Sequence, residues 1–255
     1  MENPIIELKS VTVELGEEVI LKDVNLRVYP NETIVLIGPS GGGKTVLLKT
    51  MAGLFEPVQG EVFCYGHKWA DLSLQGRHDL ARHVGVQFQK GALFDDMNAF
   101  DNVAYPLREH TQLSEEEIKT RVMDCLKAVR LDKAADLEPH EMSGGMRLRL
   151  GVARAIALKP EILFMDDPTA GLDPVNSDEV AQVILDLKEQ ISATLIVVTH
   201  DMMRAYQFAG RIFLVAQTAV LETGSAEETE KHTDLRVQQF LHGWQKGPLT
   251  NNGGN

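Results

Sequence analysis

Thr33-Ile34-Val35-Leu36-Ile37 runs straight into Gly38-Pro39-Ser40-Gly41-Gly42-Gly43-Lys44-Thr45, and Val46-Leu47-Leu48-Lys49-Thr50-Met51 follows. The first piece is β-branched and almost continuously apolar, which predicts a strand covered on both faces. The second matches GxxxxGK[ST], and the third has helical composition. Strand, glycine-rich loop and helix in that order give the motif its physical meaning. Bare glycines let backbone N–H groups close around phosphate oxygens, and the helix turns its positive end towards them. Lys44 reads as an exposed point charge that neutralises β/γ oxygens, and the Thr45 hydroxyl as a ligand for Mg²⁺.

Working outward, the first third of the chain is strands and turns. Ile5–Leu8 and Val11–Val13 alternate weakly, Leu26–Val28 ends at Pro30-Asn31, and Gly60–Tyr65 returns to strand character. The middle third changes period. Ser114-Glu115-Glu116-Glu117 is a capping-box pattern, with Ile118, Val122, Cys125, Leu126 and Val129 following at helical spacing. Ser143 precedes a helical run to Leu158, which Pro160 stops. The last third alternates again: a strand over Ile162–Met165, a helix over Asp178–Gln190, a strand over Leu195–Val198. Ile212–Ala216 and Ala219–Thr223 make a hairpin, with Gln217-Thr218 a poor primed turn. Alternating β and α elements around a helical middle predict an α/β core with a parallel sheet and a helical insertion. The Gly/Asn-rich tail from Gly247 to Asn255 is expected to fray.

Two further motifs fall into place beyond the glycine loop. Ile162-Leu163-Phe164-Met165-Asp166 is an apolar strand ending in a carboxylate, suited to holding Mg²⁺ through water. Met142-Ser143-Gly144-Gly145-Met146 opens a helix about twenty residues earlier. Ser143 serves there as an N-cap, and the same geometry offers a hydroxyl and bare amides at a positive helix end, a second phosphate site. The full order is GPSGGGKT, Val86-Gln87-Phe88-Gln89, MSGGM, ILFMDDP, Ala170-Gly171-Leu172-Asp173, Val198-Thr199-His200-Asp201.

In that order and spacing the sequence resembles the ATP-binding-cassette (ABC) ATPases over about residues 5 to 224. The resemblance implies an ABC ATPase fold: a RecA-like P-loop core, an antiparallel β subdomain and an inserted α-helical subdomain at about 92–158. The ATPase domain is then 1–224, and 225–255 a C-terminal extension. It also implies MgATP as ligand and a head-to-tail homodimer in which the P-loop of one protomer and the signature of the other clasp one ATP. The implied ATP-binding stretch is Gly38, Pro39, Ser40, Gly41, Gly42, Gly43, Lys44, Thr45 and Val46. Ser143, Gly144, Gly145 and Met146 are the signature acting in trans, and Thr45, Gln89 and Asp166 hold Mg²⁺. Lys44, Gln89, Asp167 and His200 are the implied catalytic set, and Asp173 is the D-loop aspartate.

The sequence departs from the family pattern in three places. Asp167 stands where a glutamate is usual, which predicts slow hydrolysis. Met146 replaces Gln or Glu of LSGGQ. No aromatic is available near the N-terminus to stack on adenine, leaving Leu15 or Val19 as an aliphatic contact. A narrower resemblance lies in Gly91–Asn98, Asp101–His110 and the ending Leu235–His242 with Gly247-Pro248. These are similar to the ATPase subunits of Mla-type phospholipid transporters, which serve Mce-domain lipid-binding proteins. The implied partners are an integral membrane permease, an Mce-domain protein and a small accessory subunit. The implied location is the cytoplasmic face of the inner membrane, reached through the permease.

Composition agrees. Among 255 residues, 25 Lys and Arg against 37 Asp and Glu leave a net charge of −12, the wrong sign for a non-specific nucleic-acid binder. Cys64 and Cys125 lie far apart and predict neither a disulfide framework nor a zinc site. The longest mostly apolar stretch, Ile212–Leu221, has ten residues, half the roughly 20 a membrane-spanning helix needs. Two rival readings differ in what they would show. A soluble ABC ATPase of DNA repair or translation would carry two cassettes or a long coiled-coil insertion. A nucleotide-gated regulator would bind ATP and barely turn it over.

Overall fold

Alternation of buried apolar and exposed residues, interrupted by bulges, makes the first two strands. The computed structural model describes residues 3–89, 91–208 and 210–250, and the chain forms two compact units, Met1–Ser73 with Ile196–Asn255, and Leu74–Leu195. The first unit opens with β1 (Ile6–Leu15), β2 (Glu18–Val28), β3 (Thr33–Ile37), α1 (Lys44–Met51), β4 (Gln59–Cys64) and β5 (His67–Lys68). The second holds α2 (Leu74–Ala81), β6 (Val84–Gln87), α3 (Ala99–His110), α4 (Glu115–Ala128), α5 (Gly144–Ala155), β7 (Ile162–Asp166) and α6 (Pro174–Ile191). Along β8 (Thr194–Val198) the chain returns to the first unit, which ends with α7 (Met202–Phe208), β9 (Arg211–Ala216), β10 (Ala219–Gly224), α8 (Ala226–Glu230) and α9 (Leu235–His242).

In the first unit an antiparallel sheet runs β2-β1-β4-β5. The two short strands expected at Ile5–Leu8 and Val11–Val13 are one strand of 10 residues. Its register shifts between Leu8 and Val11, where Ser10 takes φ 49 and Asp23 on the facing strand also takes φ 49. The Ser10 N–H is satisfied by Asn25 Oδ1 at 2.9 Å. A bulge inserts one residue and resets the period-2 pattern, so the alternation looked weak. The other sheet of this unit is parallel where β3 meets β9, Ile34 opposite Arg211 and Ile37 opposite Leu214. Every residue of β3 is buried. β10 turns back antiparallel on β9, and its turn takes the primed form despite its residues: Gln217 has φ 51 and Thr218 φ 65. A β-branched residue in that region is strained, and Lys22 N–H donates to Thr218 O at 2.8 Å.

In the second unit β6 runs parallel to β7, Val84 opposite Ile162 and Gln87 opposite Met165. The capping box at Ser114 and Glu117 forms, and Ile118, Val122, Cys125 and Leu126 are the buried stripe of α4. α6 starts four residues earlier than its apolar pattern suggested, because Asp173 caps it and Pro174 takes its first turn. Both cysteines are free and buried, and burial pushes the Cys64 thiol up to about 12. No described helix is long and apolar enough to cross a membrane.

The C-terminal stretch is ordered further than its composition implied. Residues 244–250 wind around Gln239, whose Oε1 accepts from Leu249 N at 2.7 Å and whose Nε2 donates to Trp244 O at 3.0 Å. Of the tail expected to fray, 251–255 lie outside the described residues.

Candidate functional site

The glycine loop of the first unit is shaped by β9. Gly38 has φ 143, and a Cβ there would lie 2.2 Å from Val215 O, while one at Gly42 would lie 2.7 Å from the same atom. Only glycine allows this approach of loop to strand. Gly43 caps α1 in the left-handed region, with no side-chain cap and no acidic residue in the first turn. The positive helix end is therefore left for a ligand anion. Lys44 corrects the reading of an exposed point charge: it is 9% exposed, and its Nζ donates to Gly38 O and Pro39 O, both at 2.8 Å. The lysine thus closes its own loop, with its charge largely out of water. Ser40 and Gly41 are exposed and Thr45 and Val46 half-buried.

His200 belongs to the same edge of this unit. Thr199 N donates to Leu36 O at 3.1 Å, which brings the end of β8 beside the end of β3, two residues before Gly38. His200 follows, exposed. The β1–β2 hairpin supplies the apolar neighbour: a Cβ at Gly43 would lie 3.2 Å from Ile20 Cγ2. Leu15, 44% exposed, and half-buried Val19 stand at the same hairpin end. Ile20 is the contact that sequence reading missed, because its neighbourhood to the loop is tertiary.

In the second unit β7 delivers Asp166, 4% exposed, and Asp167, 7% exposed. Asp167 takes φ 50, a turn out of the strand in which its own carbonyl accepts from Ala170 N at 3.1 Å. Ser143 is exposed and caps α5 by accepting from Met146 N at 3.2 Å. Open ordinary contacts surround the two glycines after it, Leu172 Cδ2 at 3.5 Å from a Cβ on Gly144 and Asn176 Oδ1 at 3.7 Å from one on Gly145. The unit therefore brings the segments expected to be the signature and the D-loop together, Gly144 beside Leu172 and Gly145 beside Asn176. Asp173 accepts from Val175 N at 3.0 Å and Asn176 N at 3.1 Å. The Asn176 side chain contributes most to holding the Asp173 carboxyl below the usual carboxylate range, with backbone N–H bonds behind it.

Gln89 is exposed in the turn after β6. That turn is pinned from both sides: Gln87 Nε2 donates to Phe88 O at 2.7 Å, Gly91 N to Phe88 O at 2.8 Å, and Arg154 of α5 to Gly91 O at 3.0 Å. The segment beyond it hangs on Asn102, fully buried. Its Nδ2 donates to Phe94 O, Met97 O and Asn98 O at 3.1, 2.9 and 3.0 Å, and its Oδ1 accepts from Phe94 N at 2.9 Å. Phe94 and Tyr105, 37% and 39% exposed, face each other at 4.8 Å between ring centroids. They border a groove of about 370 Å³ that also takes in Phe88, Ala92 and Arg154.

Known proteins resemble this chain over nearly its whole length. The ABC transporter family model matches residues 21–170. The intermembrane phospholipid transport system ATP-binding protein MlaF of Haemophilus influenzae is 41% identical over 98% of this chain and 94% of its own. The probable ribonucleotide transport ATP-binding protein mkl of Mycobacterium leprae is 39% identical over 96% of this chain and 70% of its own. Among solved structures, the dimeric post-hydrolysis form of the ATP-binding cassette MJ0796 bound to ADP and Pi aligns with a TM-score of 0.78 and 33% identity, over 85% of this chain and 98% of that one.

Proposed function

We propose, from the premise that this chain belongs to the ABC transporter family, that it is the ATP-binding and ATP-hydrolysing subunit of a phospholipid transport system. The observation that carries the cargo is the end-to-end similarity to MlaF. The mkl protein is nearly as identical, yet this chain spans only 70% of it, so the phospholipid reading is favoured.

Cassettes of this family dimerise and work with membrane permeases. For this chain the partners are a second copy, an integral membrane permease, an Mce-domain lipid-binding protein and a small accessory subunit, and the location is the cytoplasmic face of the inner membrane. Gly38–Val46 bind the triphosphate, with Lys44 on the β/γ oxygens. Thr45, Gln89 and Asp166 offer oxygen donors only, the set a hard cation such as Mg²⁺ prefers. Such an ion would add charge neutralisation at the transferring phosphoryl group. Asp167 orients the attacking water, His200 stabilises the γ-phosphate, and Asp173 with Ser143–Met146 serves the partner's ATP. Leu15 or Val19 supplies an aliphatic contact to the base.

Purification of the membrane complex with its permease, followed by mass spectrometry of bound lipid, tests the cargo. Phospholipid is expected, and a nucleotide cargo with no lipid would overturn it. Ser143→Arg is expected to abolish ATP-dependent dimerisation and turnover by placing a long cation where the partner's γ-phosphate must lie. ATP binding to the monomer stays. Full turnover in that variant would end the composite-site reading. Phe94→Glu with Met97→Glu is expected to release the permease, since the exposed Phe94–Tyr105 pair beside the groove offers apolar area to a partner. A complex that still assembles would remove segment 92–105 from the interface.

A further inference from the structure

We propose that the C-terminal turn is a strut for the nucleotide site, with Gln239 and Gln217 as positioning residues. The proposal rests on reading Gly38–Thr45 as that site.

Gln239 is 3% exposed, and a buried amide is costly unless its hydrogen bonds are met. Here they are met by the chain end: besides Leu249 N and Trp244 O, Nε2 donates to Thr250 Oγ1 at 3.1 Å. The turn is closed on itself by Thr250 N donating to Gly247 O at 3.1 Å. A side chain at Gly247 would collide with Gln239, its Cβ 2.4 Å from Oε1. The chain end is thus built to a fixed shape. It reaches out through Pro248 O, which accepts from Gln217 Nε2.

Gln217 and Thr218 form the strained two-residue turn between β9 and β10, and that turn is tied to two sides of the glycine loop. Two residues before it lies Val215, whose carbonyl is the surface on which Gly38 and Gly42 rest. Thr218 O holds Lys22 N of β2, two residues past Ile20, the side chain against Gly43. A turn left-handed at both residues relaxes readily when a restraint is lost. Its relaxation would shift the Val215 carbonyl and β2 together, so the loop would have to be ordered again on binding. The strut keeps it ordered beforehand.

Three variants of the full chain test this: Gln217→Gly, which keeps the left-handed turn without the amide, Gln217→Lys, which restores a donor to Pro248 O, and Gln239→Ala. Each is titrated with a fluorescent ATP analogue and Mg²⁺, assayed for KM and kcat, and melted. Gln217→Gly and Gln239→Ala are expected to weaken ATP binding by about fivefold, the worth of one net hydrogen bond. KM should rise in step with kcat unchanged, as for lost uniform binding, and Gln217→Lys should recover the affinity. ATP affinity unchanged in Gln217→Gly overturns the strut, even if Gln239→Ala fails to fold. So does a fall in melting temperature with no change in KM, or a Gln217→Lys variant as weak as Gln217→Gly. An unsubstituted protein that binds no ATP would instead refute the nucleotide site itself.

Discussion

Asp167→Asn lowers the rate of phosphate release by about 10²-fold or more while ATP still binds. The expectation follows from the proposed role of this carboxylate, orienting water in line with the γ-phosphate and taking its proton, a kind of role whose removal typically costs 10²- to 10⁴-fold. Asparagine keeps the shape and cannot accept the proton. Steady-state turnover and equilibrium ATP binding, measured on the same preparation, check it. A rate equal to that of the unmodified protein would deny the residue any part in the chemistry. The structure adds a reason for aspartate at this position. Asp167 turns out of β7 at φ 50, a region where Asp and Asn are several-fold enriched because a short polar side chain bonds locally. Glutamate gains roughly 1.5 Å of reach, one carbon–carbon bond, and is less suited than aspartate to a positive φ. Asp167→Glu is therefore expected to turn over at least as fast as the unmodified protein and to melt lower.

Lys44→Ala is expected to remove ATP binding or turnover. The lysine holds two carbonyls of its own loop, Gly38 O and Pro39 O, and its loss takes away both the charge proposed to neutralise phosphate and the closure of the loop. Charge-assisted hydrogen bonds are roughly twice as strong as neutral ones, and the ammonium is already mostly desolvated here. The fold stays, because the walls of the loop are the backbones of β3 and β9. Circular dichroism and a nucleotide titration separate the two effects. Unchanged affinity and unchanged turnover in Lys44→Ala would refute the loop as a phosphate site.

Where a residue's role is local, the sequence shows it. Gly38–Thr45, the Ser114–Glu117 capping box, the Ser143 cap and the buried run of β7 each follow from backbone preferences of adjacent residues, and the structure has them at those positions. What could not be read depends on distant partners. β1 looked like two strands because its bulge at Ser10 is completed by Asn25, and α3 went unread because its buried stripe includes Asn102, a polar residue committed to the loop before it. The burial of Lys44 comes from folding its side chain back on the loop. The left-handed turns at Asp167 and at Gln217-Thr218 occur without glycine, the residue type that would have announced them most clearly. The order around Gln239 was hidden by a Gly/Asn-rich composition that elsewhere means a loose end.

Asn102 gives the segment after Gln89 an unusual freedom to evolve. One buried amide lies within hydrogen-bond distance of four backbone groups between Phe94 and Asn98, so the course of the loop does not depend on the side chains of Asp95 and Asp96. Asp95 and Asp96 are exposed and Met97 half-buried, and substitutions there alter what the loop presents and leave how it is held. Substitution at these positions changes the surface one residue at a time without any rebuilding of the loop. The same property makes the segment a natural graft: transplanted together with Asn102 and the Asn98 cap, it carries its shape into a related cassette along with its surface.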